Sequence, residues 1–170
     1  SSNMHTYSIE EQERVERIIR QCALCYVGLV DKNRRPYVLP MNFGYKDEII
    51  YLHSGPEGKA AALMAEGPEV CLTFCTDSKL IWQHQEVACS YRMRAESVLV
   101  YGHVVPEEDF DEKVKALDII MQQYSGKTFT YSDPAVKNVK IWKVALEEVS
   151  AKEFGVPSRN ALKYKDRDRF

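Results

Sequence analysis

The seven residues His53-Ser54-Gly55-Pro56-Glu57-Gly58-Lys59 gather the side chains best suited to holding an anion. An imidazole and a hydroxyl precede two glycines, which let a backbone approach a ligand closely, and an ammonium follows them. The alanine-rich run at 59–66 reads as a helix, whose unpaired N–H groups and positive end would face the same point. Together these are the parts of a phosphate cradle, although the same residues also suit an ordinary strand-to-helix turn with a surface lysine. A nucleotide-hydrolysing P-loop is excluded by spacing. It needs four residues between its glycines and a Ser or Thr after its lysine to hold Mg²⁺. Here two residues separate Gly55 from Gly58, and Ala60 follows Lys59. A phosphate that is held rather than transferred fits the pattern.

Other constellations are less complete. Cys22-x-x-Cys25 has the spacing of half a zinc site or a redox pair, but no second close pair offers standard zinc spacing. Cys71 and Cys75 lie four apart in a strand-like run and share a face, as small core residues do. His84 and Cys89 fall in a polar stretch, where solvated side chains are the ordinary outcome and a metal or haem contact the sharper one. No Gly-x-Ser-x-Gly occurs, so a serine hydrolase elbow is absent.

The elements that must carry the cradle read mainly as short strands. Ser8-Ile9-Glu10-Glu11 has the form of a capping box, and Val15, Ile18, Ile19 and Cys22 then make an amphipathic helical stripe. Strand-like runs follow at 24–31, 36–45 and 48–53, joined by the polar turns at 32–35 and 46–47. After the helix at 59–66, Gly67-Pro68 breaks the chain, and 70–76 returns to strand. The stretch 77–89 reads as a polar loop and 94–105 as another strand. Pro106-Glu107-Glu108 suits the start of a second long helix, with Phe110, Val114, Leu117 and Met121 on one face. A last strand covers 139–146.

Six or so strands with turn-length connections point to a mainly β, α+β fold with flanking helices. The expected form is an antiparallel barrel rather than a doubly wound sheet, which would need a helix between most strands. With 170 residues, 45% of them apolar, one domain over 1–157 is expected, burying roughly 70% of its unfolded surface. A charged tail occupies 158–170. A net charge of −2 gives no general reason to bind nucleic acid or anionic lipid. No apolar run approaches the roughly 20 residues of a membrane span, no signal-peptide pattern opens the chain, and the five cysteines suit free thiols. The expected compartment is the cytosol.

The succession Tyr26-Val27-Gly28-Leu29-Val30, Pro36-Tyr37-Val38-Leu39-Pro40-Met41-Asn42-Phe43-Gly44-Tyr45, Ile50-Tyr51-Leu52-His53-Ser54, Gly58-Lys59 and Ser97-Val98-Leu99-Val100-Tyr101-Gly102 resembles a known family. It is similar to the pyridoxamine 5′-phosphate oxidase-related FMN-binding proteins, and among them to the nitroimidazole-resistance (Nim-type) branch, over residues 9–152. The resemblance implies a split β-barrel that pairs into a homodimer with FMN at the subunit interface. It sets Pro40, Met41, Asn42 and Phe43 beside the isoalloxazine ring. His53, Ser54 and Lys59 match the phosphate side, and Ser97 meets the cofactor from the next strand. Trp142 and Lys152 would close the site. The chain departs from the family pattern over 77–96, where the Trp82-Gln83-His84-Gln85 loop and the Arg92-Met93-Arg94-Ala95-Glu96 lead-in are places for substrate contacts to differ.

The implied activity is an FMN-dependent oxidoreductase passing electrons to a nitro-compound or another small acceptor, with no obligatory protein nucleophile. The flavin performs the electron transfer and the protein holds it, shapes its potential and leaves one ring face open. Arg92 or Arg94 near the ring would stabilise its anionic reduced form; as exposed arginines, both equally suit solvated surface. The alternative is a non-catalytic flavin- or haem-binding protein on the same fold. Pyridoxamine phosphate oxidation itself fits less well, because it needs a second phosphate site and the sequence offers one cradle.

Overall fold

The computed structural model describes residues 4–157. Strand β1 (Met4–Ser8) is followed by α1 (Gln12–Gln21), β2 (Cys25–Val30), β3 (Pro36–Met41), β4 (Phe43–Lys46) and β5 (Ile49–Ser54). Then come α2 (Lys59–Met64), β6 (Glu69–Cys75), β7 (Lys79–Ile81), β8 (Arg92–Glu107), α3 (Phe110–Tyr124), α4 (Asp133–Asn138), β9 (Lys140–Ala145) and β10 (Glu148–Pro157). The sheet runs β3-β2-β6-β8-β9-β5-β4, with every pairing antiparallel. Its two ends, β3 and β4, are separated in the chain by Asn42 alone, so the sheet curls back on itself into a half-barrel. The expected single strand at 36–45 is therefore two, with the bend at Asn42.

β8 is the spine. Its 16 residues pair with β7 at one end, with β6 and β10 through the middle, and with β9 at the other end. Alternation sorts its side chains as the pleat requires: Val98 and Val100 point into the core, while Ser97, Leu99 and Tyr101 face outward, only half-buried. Phe43 and Phe74 meet edge to face at 5.0 Å in the centre of that core. A smaller cluster of Ala116, Ile120 and Ile141 lies beneath α3.

Three local expectations changed. Ser8 does not cap α1: β1 pairs with β10, Ser8 lies opposite Lys152, and the helix starts after Glu11 with no side-chain cap. The ladder claims the backbone that a capping box would have needed. Pro106 and Glu107 belong to β8, opposite Trp142 and Ile141, and α3 is capped instead by Asp109, whose carboxylate accepts from the Glu112 N–H at 3.0 Å. The 77–89 stretch contains β7.

The buried face of α3 also differs from the expected stripe, consisting of Lys113, Ala116 and Ile120. Close approach explains this. A Cβ on Gly44 of β4 would come within 2.7 Å of the Ile120 nitrogen, so α3 sits almost backbone-on-backbone against β4. The tail at 158–170 lies outside the described residues.

Candidate functional site

β5 delivers His53 and Ser54 to the rim of the half-barrel, and β9 anchors them. Ser54 Oγ donates to the Gly55 carbonyl at 2.9 Å and accepts from Trp142 Nε1 at 3.0 Å. Its single proton is thus committed, leaving one acceptor lone pair. His53 is half-buried opposite Ile141, and that burial lowers its pKa, so it holds a neutral imidazole at ordinary pH.

Beyond them the chain turns. Gly58 has φ +111°, a conformation that favours glycine, and a Cβ added at Gly55 or Gly58 would meet nothing within 4 Å. The Glu57 and Gly58 N–H groups find no protein acceptor among the described residues. The turn therefore presents open space and two unspent donors, which suits a phosphate. α2 has only six residues, so the turn's own amides, rather than a long helix dipole, supply the attraction.

Lys59 stands at the edge of this turn with its ammonium 3.2 Å from Asp31 Oδ2 and 4.4 Å above the Tyr37 ring. Asp31 also accepts the Asn33 and Arg35 N–H groups through Oδ1. The Arg35 N–H is the largest influence holding its carboxyl below the usual range, and Lys59 adds to it.

The turn opens into a cleft of about 690 Å³, lined by Glu57 and Gly58 together with Ala61 and Ala62 of α2, Lys140 and Trp142. Lys113 also lines it, buried with 7% exposure, and its Nζ donates to the Val136 carbonyl of α4 at 3.0 Å. Burial first, and neighbouring Lys140 second, lower its pKa. Sequence reading passed over Lys113, because a lysine inside a helix ordinarily reads as solvated.

The remaining residues expected at the site lie elsewhere. Pro40 is exposed on β3; Met41 and Phe43 turn their side chains into the core, leaving only backbone for a ligand; Asn42 stands exposed on the bend. Ser97 and Lys152 are cross-strand partners on β8 and β10. They share the outward sheet face with Pro40, Tyr26, Thr73 and Leu99, while the alternating Val27, Leu72 and Val98 point inward. Pro40 is in register with Leu99, three strand spacings or roughly 14 Å away, and Ser97 lies two residues farther along β8. One chain thus joins Ser54 and Trp142 and sets Lys59 at the edge of the turn. His53 alternates to the opposite sheet face beside Ile141 and is not joined to them, and Pro40, Ser97 and Lys152 lie on the outer face.

The 77–96 segment is internally braced. Trp82 stacks on Tyr91 at 5.3 Å, and Ser90 Oγ bonds both the N–H and the carbonyl of His84. Arg92 donates to the Cys89 and Tyr91 carbonyls, so it holds the loop, and Arg94 lies directly opposite Lys79. All five cysteines are free thiols, with Cys22 and Cys25 buried. Among the described residues no three His, Cys, Asp or Glu side chains are grouped to hold a metal, and no helix is long and apolar enough to cross a membrane.

A family model described as pyridoxamine 5′-phosphate oxidase matches residues 11–153. The chain belongs to this family. Within the pyridoxamine 5′-phosphate oxidase family, the fold is the split barrel built above. The chain is similar to the structure of a candidate 5-nitroimidazole antibiotic resistance protein from Bacteroides thetaiotaomicron, at 49% identity and a TM-score of 0.81 over 89% of each chain. It also resembles an FAD and haem binding protein from Mycobacterium smegmatis, at 17% identity and a TM-score of 0.77 over 95% of this chain and 78% of that one. A flavocytochrome from Azotobacter vinelandii matches at 19% identity and 0.73, over 92% and 75%. These last two likenesses bear on the fold alone. Comparison with curated proteins found no match.

Proposed function

We propose that this member of the pyridoxamine 5′-phosphate oxidase family binds FMN as a homodimer and reduces a nitro-compound of the nitroimidazole kind. The observation that carries the reading is the turn between β5 and α2, where two unspent N–H donors, open glycines and Lys59 make a seat for one phosphate monoester. A single cradle suits FMN better than the pyrophosphate of FAD. The nitroimidazole-resistance description of the 49% identical relative supports the choice of acceptor.

When bound, the flavin supplies the electron transfer. The chain's own residues then do the holding. The Glu57 and Gly58 amides and Lys59 take the phosphate, and Trp142 keeps Ser54 in place at the end of β5. The outward sheet face supplies the rest through a second copy. Tyr26 is 47% exposed, Val30 61% and Val38 64%, an apolar face that a partner would cover. Docking that face against the turn of another chain would bring Pro40, Ser97 and Lys152 to the residues that one chain leaves apart.

The test is an absorption spectrum of the protein before and after FMN is added and the excess removed, followed by anaerobic mixing of the reduced protein with a nitroimidazole. Flavin retention and acceptor-dependent reoxidation are expected. A protein that takes up no FMN overturns the cofactor assignment. Retained flavin whose reoxidation no acceptor hastens leaves a carrier, not an oxidoreductase.

A further inference from the structure

Helix α3 ends against the bend that separates β3 from β4. Its last residue, Tyr124, accepts the Phe43 backbone N–H at 2.6 Å, and the Asn42 amide lies beside the same hydroxyl. That N–H sits where the chain changes ladder partner: Met41 pairs with Cys25 of β2 and Phe43 with Leu52 of β5. A side chain from a distant helix thus fixes the bend. The preceding residue fastens a different element: Gln123 Nε2 donates to the carbonyls of Arg20 at 3.0 Å and Cys22 at 3.2 Å, at the end of α1. Two adjacent residues on one helical turn therefore clamp two separate places, and each serves as the other's control.

We propose that Tyr124 is a positioning residue of the flavin site. By taking the Phe43 N–H it sets the angle of the bend, and with it the direction of the Asn42 side chain and of the Pro40–Met41 backbone. This rests on the reading that places those residues beside the isoalloxazine ring. A donor or dipole displaced along the ring changes both affinity and potential, because the reduced flavin carries more negative charge than the oxidised form.

The experiment compares the full-length wild type with Tyr124→Phe, which loses one oxygen and keeps the ring, and with Gln123→Ala. FMN affinity, the midpoint potential of bound FMN and its visible spectrum are measured for each. Tyr124→Phe is expected to bind FMN roughly tenfold more weakly, with a displaced potential and a shifted absorption maximum. Gln123→Ala is expected to melt at a lower temperature with the potential unchanged. Asn42→Ala, alone and combined with Tyr124→Phe, gives a double-mutant cycle in which the two effects are less than additive. Wild-type affinity and potential in Tyr124→Phe, equal displacement of potential in Gln123→Ala, or full additivity overturns the proposal. A wild type that binds no FMN overturns the functional reading first, which separates the two failures.

Discussion

Lys59 and Asp31 form a contact of 3.2 Å that joins the turn after β5 to the turn after β2. The ammonium best placed to meet a phosphate is thereby held by a carboxylate that itself receives two backbone N–H groups. Binding an anion here means sharing Lys59, not recruiting a free cation.

Lys59→Ala should therefore weaken FMN binding by about 1.5–3 kcal/mol, the worth of a charge-assisted contact, and leave the fold intact. Asp31→Asn should act in the opposite sense, tightening FMN by releasing Lys59 while lowering thermal stability through the loosened turn. Fluorescence titration of FMN against each variant checks both signs. Unchanged affinity in Lys59→Ala removes that residue from the phosphate seat.

Val38→Lys places a charge at the centre of the outward apolar face, directly across from Gly28. A monomeric elution volume and loss of FMN uptake are expected together. A dimer that persists with full FMN occupancy would locate the interface elsewhere.

Gly44→Ala should destabilise the protein by about 3 kcal/mol, at the upper end of overpacking costs, because the added carbon would lie 2.7 Å from the Ile120 nitrogen and 2.8 Å from its Cα. Neither is the yielding tip of a side chain. Denaturant unfolding measures the loss, and a change within experimental scatter would mean that α3 can lift from β4 freely.

Burial pushes the Cys22 and Cys25 thiols up to about 11 and about 12 from an ordinary 9.0. Folded protein then holds protons that the unfolded chain releases, so their contribution is complete below pH 9.0 and declines as pH rises toward those values. Exposed Cys75 and Cys89 should react with a thiol reagent before either. Rapid modification of Cys25 in the native protein would contradict its burial.

His53 behaves in the opposite direction. Its folded pKa lies below 6.5 because burial disfavours the charged ring, so its contribution is present above pH 6.5 and is lost as pH falls through the folded value. His53→Gln should flatten the acid side of the stability profile. An imidazole titrating at or above 6.5 by NMR would show that water reaches it freely.

Much of this frame is legible in the chain because local and global signals agree. Strands β2, β3, β5 and β6 announce themselves by β-rich runs between polar turns, and the Val15-Ile18-Ile19-Cys22 stripe of α1 is buried as its spacing predicts. What local pattern misses is decided by distant partners. Ser8 has the chemistry of a cap, but β10 takes its backbone into a ladder more than a hundred residues away in sequence. Phe110, Val114, Leu117 and Met121 form a valid stripe, yet α3 turns Ala116 inward because Gly44 admits only a close approach. The open glycine turn and its lysine are legible in the chain; that Lys59 faces Asp31 is not, since the contact bridges two turns. Tyr124 left no signal at all, for its role depends on where a helix ends over a bend.

β1 pairs with β10, so that Met4 lies across from Pro157 and the first described residue shares a ladder with the last. On the ribosome this imposes an order of events. The half-barrel's middle strands can assemble while synthesis continues, but the first strand waits, its hydrogen-bonding edge unfilled, until Lys152 and the residues after it have cleared the exit tunnel. Chains that end before Lys152 would leave all of β1 without its ladder partner, and a quality-control system that recognises unpaired edges would meet them as unfinished.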